Sequence, residues 1–174
     1  LVVQSSDSAA PASGGRYRRL TPFSPEVRET VGEIYEDLAR HARFDGLLFH
    51  DDATLDDFED ASPLALQEYE RWGLPPSIDA IRADPALLER WTSRKTAALI
   101  AFTGELAERV RRYQGAIKTA RNLYARPVLE PSSAARFAQA LPDFLAPHAF
   151  TPVIPSPRPE RAPRPPNRPA AAPP

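Results

Sequence analysis

Apolar residues recur at helical spacing in two long stretches of the chain. Ser24 and Pro25 form a typical helix start, an N-cap residue followed by a proline in the first turn. The stripe behind them predicts a helix from Pro25 to about Ala42 and consists of Val27, Val31, Ile34 and Leu38. Asp84-Pro85 repeats the start signal, and a longer stripe predicts a helix to about Tyr113, with Leu88, Trp91, Leu99, Phe102, Leu106 and Val110 on one face.

Shorter apolar runs predict strands between and after these helices. The stretch 44–52 is apolar from Leu47 to Phe49 and predicts a buried strand, 117–128 is a second strand candidate, and 150–154 is a third. Two shorter helices are predicted, at 64–72 and from 131 to about 144, and Pro142 should interrupt the latter. Helices that alternate with strands in this way indicate an α/β fold.

The first predicted strand ends in three polar residues, His50, Asp51 and Asp52. They are candidate functional residues, because α/β enzymes keep their chemistry at the carboxyl ends of strands. Neighbouring side chains point to opposite faces of a strand. The site therefore takes either Asp51, which shares a face with Phe49, or Asp52, which shares one with His50, and the spacing leaves this choice open. A helix cap or a turn is the structural alternative for such a pair.

Composition divides the chain into a domain and two flanking segments. We assign one domain to 16–154, a linker to the small and polar residues 1–15, and a disordered or polyproline-like tail to 155–174, where Pro, Arg and Ala dominate. A net charge of −1 gives no reason to expect nucleic-acid binding. Without cysteine the chain forms no zinc ribbon and has no thiol nucleophile. The longest apolar run, Ala97 to Phe102, is too short to span a membrane.

Three separated motifs resemble the C-terminal domain of PgaB-type proteins, the bacterial poly-β-1,6-N-acetyl-D-glucosamine deacetylases of biofilm exopolysaccharide export. The resemblance covers roughly Arg16 to Thr151, and its motifs are Phe44-Asp-Gly-Leu-Leu-Phe-His-Asp-Asp-Ala53, Asp57-Phe-Glu-Asp-Ala-Ser-Pro63 and Lys118-Thr-Ala-Arg-Asn-Leu-Tyr-Ala125. In that family the N-terminal domain removes N-acetyl groups with a metal held by Asp and His. The C-terminal domain is a (β/α)8 barrel that binds and hydrolyses the partly deacetylated polymer.

The resemblance implies a fold and a site for this chain. The fold is a partial (β/α)8 barrel segment of about three βα units, and the ligand is poly-β-1,6-(N-acetyl)glucosamine. Asp51 and Asp52 are the implied catalytic carboxylates, since glycoside hydrolysis usually needs an acid and a second carboxylate. The implied substrate-binding residues are His50, Arg121, Asn122 and Tyr124.

The family's metal-ligand pattern has no counterpart in this sequence, where the three histidines lie far apart. No metal or other cofactor is therefore expected. From Phe44 to Glu70 there are nine acidic residues and no lysine or arginine. Such a stretch is either a solvated loop or an acidic rim, which would attract the ammonium groups of deacetylated glucosamine units.

The resemblance also implies partners and a location. The partners are the remainder of the parent barrel and its deacetylase domain, and the location is the periplasm or the outer membrane. The resemblance begins in the middle of the barrel, and past Ile154 the sequence departs from the family. We therefore expect this piece to be inactive on its own. Two alternatives to a hydrolase remain, a non-catalytic polysaccharide-binding module and an inactive truncated remnant.

Overall fold

Helices and short parallel strands alternate along the chain. The computed structural model describes residues 1–7, 18–50, 54–145 and 153–154. The elements in chain order are α1 (Pro25–His41), β1 (Gly46–Phe49), α2 (Pro63–Arg71), α3 (Ile78–Ala83), α4 (Pro85–Gln114), β2 (Lys118–Arg121), β3 (Leu123–Tyr124), α5 (Ala125–Leu129), a 3-10 helix (Pro131–Arg136), α6 (Leu141–Leu145) and β4 (Val153–Ile154).

The described strands form two separate parallel pairs, β1 with β2 and β3 with β4. The connection from β1 to β2 runs through α2, α3 and α4, as a parallel pair requires a long crossover. The predicted α/β class is confirmed. The partial barrel remains a prediction, because two-stranded sheets do not establish the closure of a barrel.

The predicted helix starts are confirmed by their hydrogen bonds. The Ser24 hydroxyl accepts from the main-chain N–H of Val27, and the Asp84 carboxylate accepts from those of Ala86 and Leu87. At the far end of α4 the chain turns at Gly115, which has a φ of +59°, a conformation that favours glycine. Local capping thus sets the limits of both long helices.

The buried face of α1 differs from the predicted stripe. Val27 is buried, but Ile34 and Leu38 are 62% and 46% exposed. The face that packs on α4 and the first sheet instead includes Tyr35 and Ala39. It is rotated because α1 packs closely against α4 at Gly32, where the guanidinium of Arg109 occupies the space that a side chain would need.

The core is arranged along α4. Near its start, Trp91 packs with residues of α2 and α3. Near its end the helix packs on α1, on β1 and on Ile117, which directly precedes β2, through Leu106, Ala107 and Val110. Trp91 belongs to the predicted apolar stripe of this helix, and its side chain is fully buried. Within the described ranges, no helix combines the length and apolarity that crossing a bilayer demands.

The C-terminal part is more broken than predicted. The strand candidate 117–128 is divided into β2 and β3, and a helix already begins at Ala125. The helix predicted from 131 to about 144 is a 3-10 helix followed by a turn and then α6. The break lies before Leu141 and not at Pro142, because a proline in the first turn of a helix has no intrahelical hydrogen bond to lose.

Residues 1–7, which we assigned to a linker, pair with two other segments. The N–H of Val3 donates to the carbonyl of Arg19, and the N–H of Ala61 donates to the carbonyl of Gln4. Single antiparallel bridges join Val2 to Leu20 and Ser5 to Glu59. The remainder of the predicted linker and the proline-rich tail lie outside the described residues.

Candidate functional site

The parallel pairing of β1 and β2 brings their carboxyl ends together. Phe49 pairs with Arg121 in register, and the N–H of Asn122 donates to the carbonyl of Phe49 at 3.0 Å. His50 therefore follows β1 at the same edge where Asn122 follows β2. The structure brings these two predicted site residues to one place, as expected for neighbouring parallel strands.

The two faces of β1 have different surroundings. Leu47 and Phe49 pack on α1 and α4, whereas Leu48 is 58% exposed and His50 is exposed as well. Because side chains alternate along a strand, Leu48 and His50 share the face turned away from the helices. We call this the open face of the first sheet, formed by Leu48 and His50 of the β1 segment together with Lys118 and Ala120 of β2.

The other predicted substrate-binding residues are buried. Arg121 shares the register position of Phe49 and has no exposed surface, and its guanidinium lies 5.2 Å from the ring centre of Phe144. Asn122 is 5% exposed. These side chains form the wall beneath the edge of the sheet rather than its surface.

Tyr124 is buried in the same wall. Its ring centre lies 5.1 Å from that of Phe137, and its N–H donates to the side-chain oxygen of Gln139 at 3.0 Å. In this arrangement the ring packs inside the protein and offers no open face for stacking on a sugar. The predicted catalytic residues Asp51 and Asp52 lie outside the described residues.

The loop that follows this region, from Thr54 to Ser62, is organised around a buried carboxylate. We call it the acidic loop. The Asp60 side chain accepts hydrogen bonds from four donors, the main-chain N–H groups of Gln4 and Ser62 and the hydroxyls of Thr21 and Ser62, at 2.5–3.0 Å. In addition, its main-chain N–H and carbonyl both bind the hydroxyl of Tyr69. Asp60 therefore ties the N-terminal segment and α2 to the acidic loop.

Arginines from two other segments pair with two of the remaining acids of this loop. Arg19 binds the Glu59 carboxylate at 2.5 Å, and Arg82 lies 3.5 Å from the Asp57 carboxylate. Neither interpretation of the acidic stretch therefore fits this part of it. Its carboxylates are neither simply solvated nor arranged as an open acidic rim, because most of them are used inside the fold.

Lys95 is the functional candidate that our sequence interpretation missed. It lies fully buried on α4, and its Nζ donates to the main-chain carbonyls of Asp56 at 2.6 Å and Glu59 at 2.8 Å. The same atom is 3.4 Å from the ring centre of Trp91. A signal was present in the sequence, because Trp91, Lys95 and Leu99 follow at intervals of four and place a lysine inside an apolar stripe.

Burial shifts the pKa values of two groups in this region in opposite directions. Burial lowers the pKa of Lys95 from 10.5 to about 7, although the neighbouring carboxylates oppose this shift. Burial, with a further contribution from Glu59, raises the pKa of Asp56 from 3.8 to about 6. Both groups are consequently charged at an energetic cost near neutral pH.

The described part of the chain does not bring three or more His, Asp or Glu side chains together in a way that would hold a metal ion. What the carboxyl edge of the first sheet offers in its described residues is an imidazole beside an amide. Together with the carboxylates next in the sequence, such groups can donate and accept hydrogen bonds from sugar hydroxyls.

Comparisons with known proteins agree on one family. The model of hypothetical glycosyl hydrolase family 13 (GHL13) matches residues 1–168. Two curated relatives, named poly-beta-1,6-N-acetyl-D-glucosamine N-deacetylase, come from Escherichia coli K12 and O157:H7, and each is 48% identical over 143 residues. These matches cover 82% of this chain and 21% of each relative, so the chain spans about a fifth of their length.

A solved structure, the PgaB (BpsB) glycoside hydrolase domain from Bordetella bronchiseptica, is 50% identical and superposes with a TM-score of 0.82. This match covers 88% of the present chain and 44% of that domain. The resemblance to the glycoside hydrolase domain of PgaB-type proteins is thereby confirmed. The chain belongs to hypothetical glycosyl hydrolase family 13.

Proposed function

We propose that this chain is part of a carbohydrate-active hydrolase domain that acts on partly deacetylated poly-β-1,6-N-acetyl-D-glucosamine. The observation that carries the proposal is the 50% identity, over 88% of the chain, to a glycoside hydrolase domain. The carboxyl edge of β1 and β2 supports the proposal, because His50 and Asn122 lie next to each other there. His50 directly precedes Asp51 in the sequence. As the chain spans about a fifth of the named deacetylases, deacetylation is not part of the proposal.

Asp51 and Asp52 are the proposed catalytic pair, one as general acid and the other as its support or as a sugar ligand. Leu47 and Phe49 pack on the helices, and the opposite phase of β1 is open. Either Asp51 or Asp52 takes the role of general acid in this proposal, and substitution of each decides between them. An acid near a second carboxylate also keeps its proton to a higher pH.

The remaining site residues have supporting roles in this proposal. His50 is exposed and is the proposed hydrogen-bonding partner of the sugar. Asn122, Arg121 and Tyr124 are buried, so they would shape the floor of the site beneath the polymer. The polymer would be met in the periplasm or at the outer membrane, together with the rest of the barrel and a deacetylase domain.

A polysaccharide-binding module is the second candidate function. It is favoured by the open face, since Leu48 is exposed there and the described strands form only two-stranded sheets. Such an open edge would bind a polymer without removing bulk solvent from the reacting groups, as a closed active site does. The inactive remnant, the third alternative, would neither bind nor cleave.

Defined β-1,6-linked glucosamine oligosaccharides separate these candidates. We expect the complete protein of which this chain is part to bind them by calorimetry and, if it is a hydrolase, to release shorter products that mass spectrometry detects. Asp51→Asn or Asp52→Asn should then abolish products while binding persists. Binding by the complete protein without products at any enzyme concentration identifies a binding module, and the absence of both contradicts the proposed function.

A further inference from the structure

The side chain of Lys95 joins the longest helix to the acidic loop. Its two hydrogen bonds go to main-chain carbonyls, those of Asp56 and Glu59, and therefore fix the path of the loop rather than a particular acid. The loop begins two residues after Asp52 in the sequence. A group that holds the loop therefore fixes residues that closely follow the proposed catalytic pair in the sequence.

Negatively charged groups predominate around Lys95. Four carboxylates of the acidic loop act on its ammonium group, those of Asp56, Asp57, Glu59 and Asp60. Arg19 and Arg82 pair with two of them, the hydroxyl of Tyr69 binds the main chain of Asp60, and the indole of Trp91 covers the amine. Water is excluded from the amine itself, whose residue has no exposed surface.

We infer that Lys95 is a positioning residue for the acidic loop, and that the loop is held least firmly near neutral pH, where Lys95 and Asp56 are both charged. The inference rests on the proposed function only for the role of the loop beside the carbohydrate site. The anchoring by Lys95 is a property of the fold and is testable without any sugar.

The direction of the pH effect follows from the two shifted groups. Opening the loop returns both side chains to water and to their ordinary pKa values. The pKa of Asp56 is raised to about 6 in the closed loop, so the closed form is favoured at pH 4 and loses that advantage as the pH rises to 6. The pKa of Lys95 is lowered to about 7, so the closed form becomes more favourable again as the pH rises from 7 towards 10.5.

Amide hydrogen exchange in the loop measures this directly. In the closed loop the N–H groups of Phe58 and Glu59 donate to Asp56, and that of Asp60 donates to the Tyr69 hydroxyl of α2. All three report its opening. In the 174-residue chain we expect protection factors, corrected for intrinsic exchange, to pass through a minimum between pH 6 and 7. On either side they should rise by up to about tenfold per pH unit.

Single substitutions assign the two arms of this profile. Asp56→Asn should remove the rise below pH 6, and Lys95→Met should remove the rise above pH 7. Lys118→Met is the matched control, because Lys118 is the other lysine of the chain and is exposed, and it should keep both arms. A flat profile from pH 4 to 9, or an alkaline rise that survives Lys95→Met, overturns the inference.

A second measurement applies if Lys95→Met fails to fold. Carbon-13 labelled lysine in the unaltered chain then gives two side-chain signals, which Lys118→Arg assigns. Titration of the Lys95 signal near pH 7 supports the inference, and titration only above pH 9 overturns it.

Affinity for a glucosamine oligosaccharide tests the positioning role. It should differ several-fold between pH 6.5 and 8.5 in the unaltered chain, and this difference should shrink in Lys95→Met. Equal pH dependence in the two proteins overturns the positioning role. If no oligosaccharide binds at any pH, the proposed function fails while the exchange profile still decides the anchoring.

Discussion

At the scale of single residues, the acidic loop depends on a few buried polar groups. Asp60 lies at its centre, with four hydrogen-bond donors and no exposed surface. A buried carboxylate with this many partners stabilises the fold mainly because each donor would otherwise be buried without an acceptor.

The first prediction therefore concerns Asp60. Asp60→Ala should lower the free energy of unfolding by about 3 kcal/mol, since it leaves several buried donors unpaired. Urea denaturation monitored by circular dichroism measures the loss. Asp45→Ala is the matched control, because Asp45 is exposed and only its main-chain carbonyl is used, by the N–H of Lys118. A loss below about 1 kcal/mol at Asp60 would contradict this account.

Residue-level prediction from the sequence succeeded where the local pattern carried the information. Ser24 and Asp84 were identified as helix caps because a cap acts within three residues. Lys95 was missed although it lies four residues after Trp91 and four residues before Leu99. Its partners are main-chain carbonyls about 36 to 39 positions away, and nothing in the sequence of α4 specifies them.

At the scale of elements, the packing of α1 on α4 explains why Ile34 and Leu38 of the predicted stripe are exposed while Val27 and Val31 pack in the core. Arg109 reaches across to Glu29 and Glu36 of α1, and its guanidinium fills the space beside Gly32. A Cβ at Gly32 would lie 2.4 Å from Cζ of Arg109. The helices therefore meet along a face that contains a glycine and an ion-pair cluster, which an apolar pattern does not reveal.

Two helical glycines give a matched test of this contact. A methyl group at Gly104 meets no other atom within 4 Å, so Gly104→Ala should raise the free energy of unfolding by about 0.5–1 kcal/mol through helix propensity. Gly32→Ala should lack this gain, because the methyl group displaces Arg109 from its two partners. Equal stabilisation by both substitutions in urea denaturation would show that the contact is unimportant.

The alternation of β1 gives a second test at this scale. Phe49 packs among residues of α1 and α4, and Phe49→Ala should lower the free energy of unfolding by about 3–5 kcal/mol. Leu48→Ala on the open face should change it by less than about 0.5 kcal/mol. A large loss for Leu48→Ala would mean that the open face is covered in solution.

At the scale of the whole molecule, the α/β class and the order of the main elements could be predicted, but their limits after β2 could not. The resemblance implied that Arg121, Asn122 and Tyr124 bind the substrate, yet all three are buried. Arg121 and Tyr124 pack against Phe144 and Phe137, which follow later in the chain. Burial of this kind depends on contacts between distant segments. The family, in contrast, was carried by three local motifs.

The carboxyl edge of β1 and β2 is the proposed carbohydrate site. Its most direct test is amide chemical-shift mapping of the 174-residue chain during titration with a β-1,6-linked glucosamine oligosaccharide. We predict that the largest saturable shifts fall on His50, Asn122 and the acidic loop. Saturable shifts confined to other surfaces, such as the region around Trp72, or no shifts at millimolar oligosaccharide, would contradict the account.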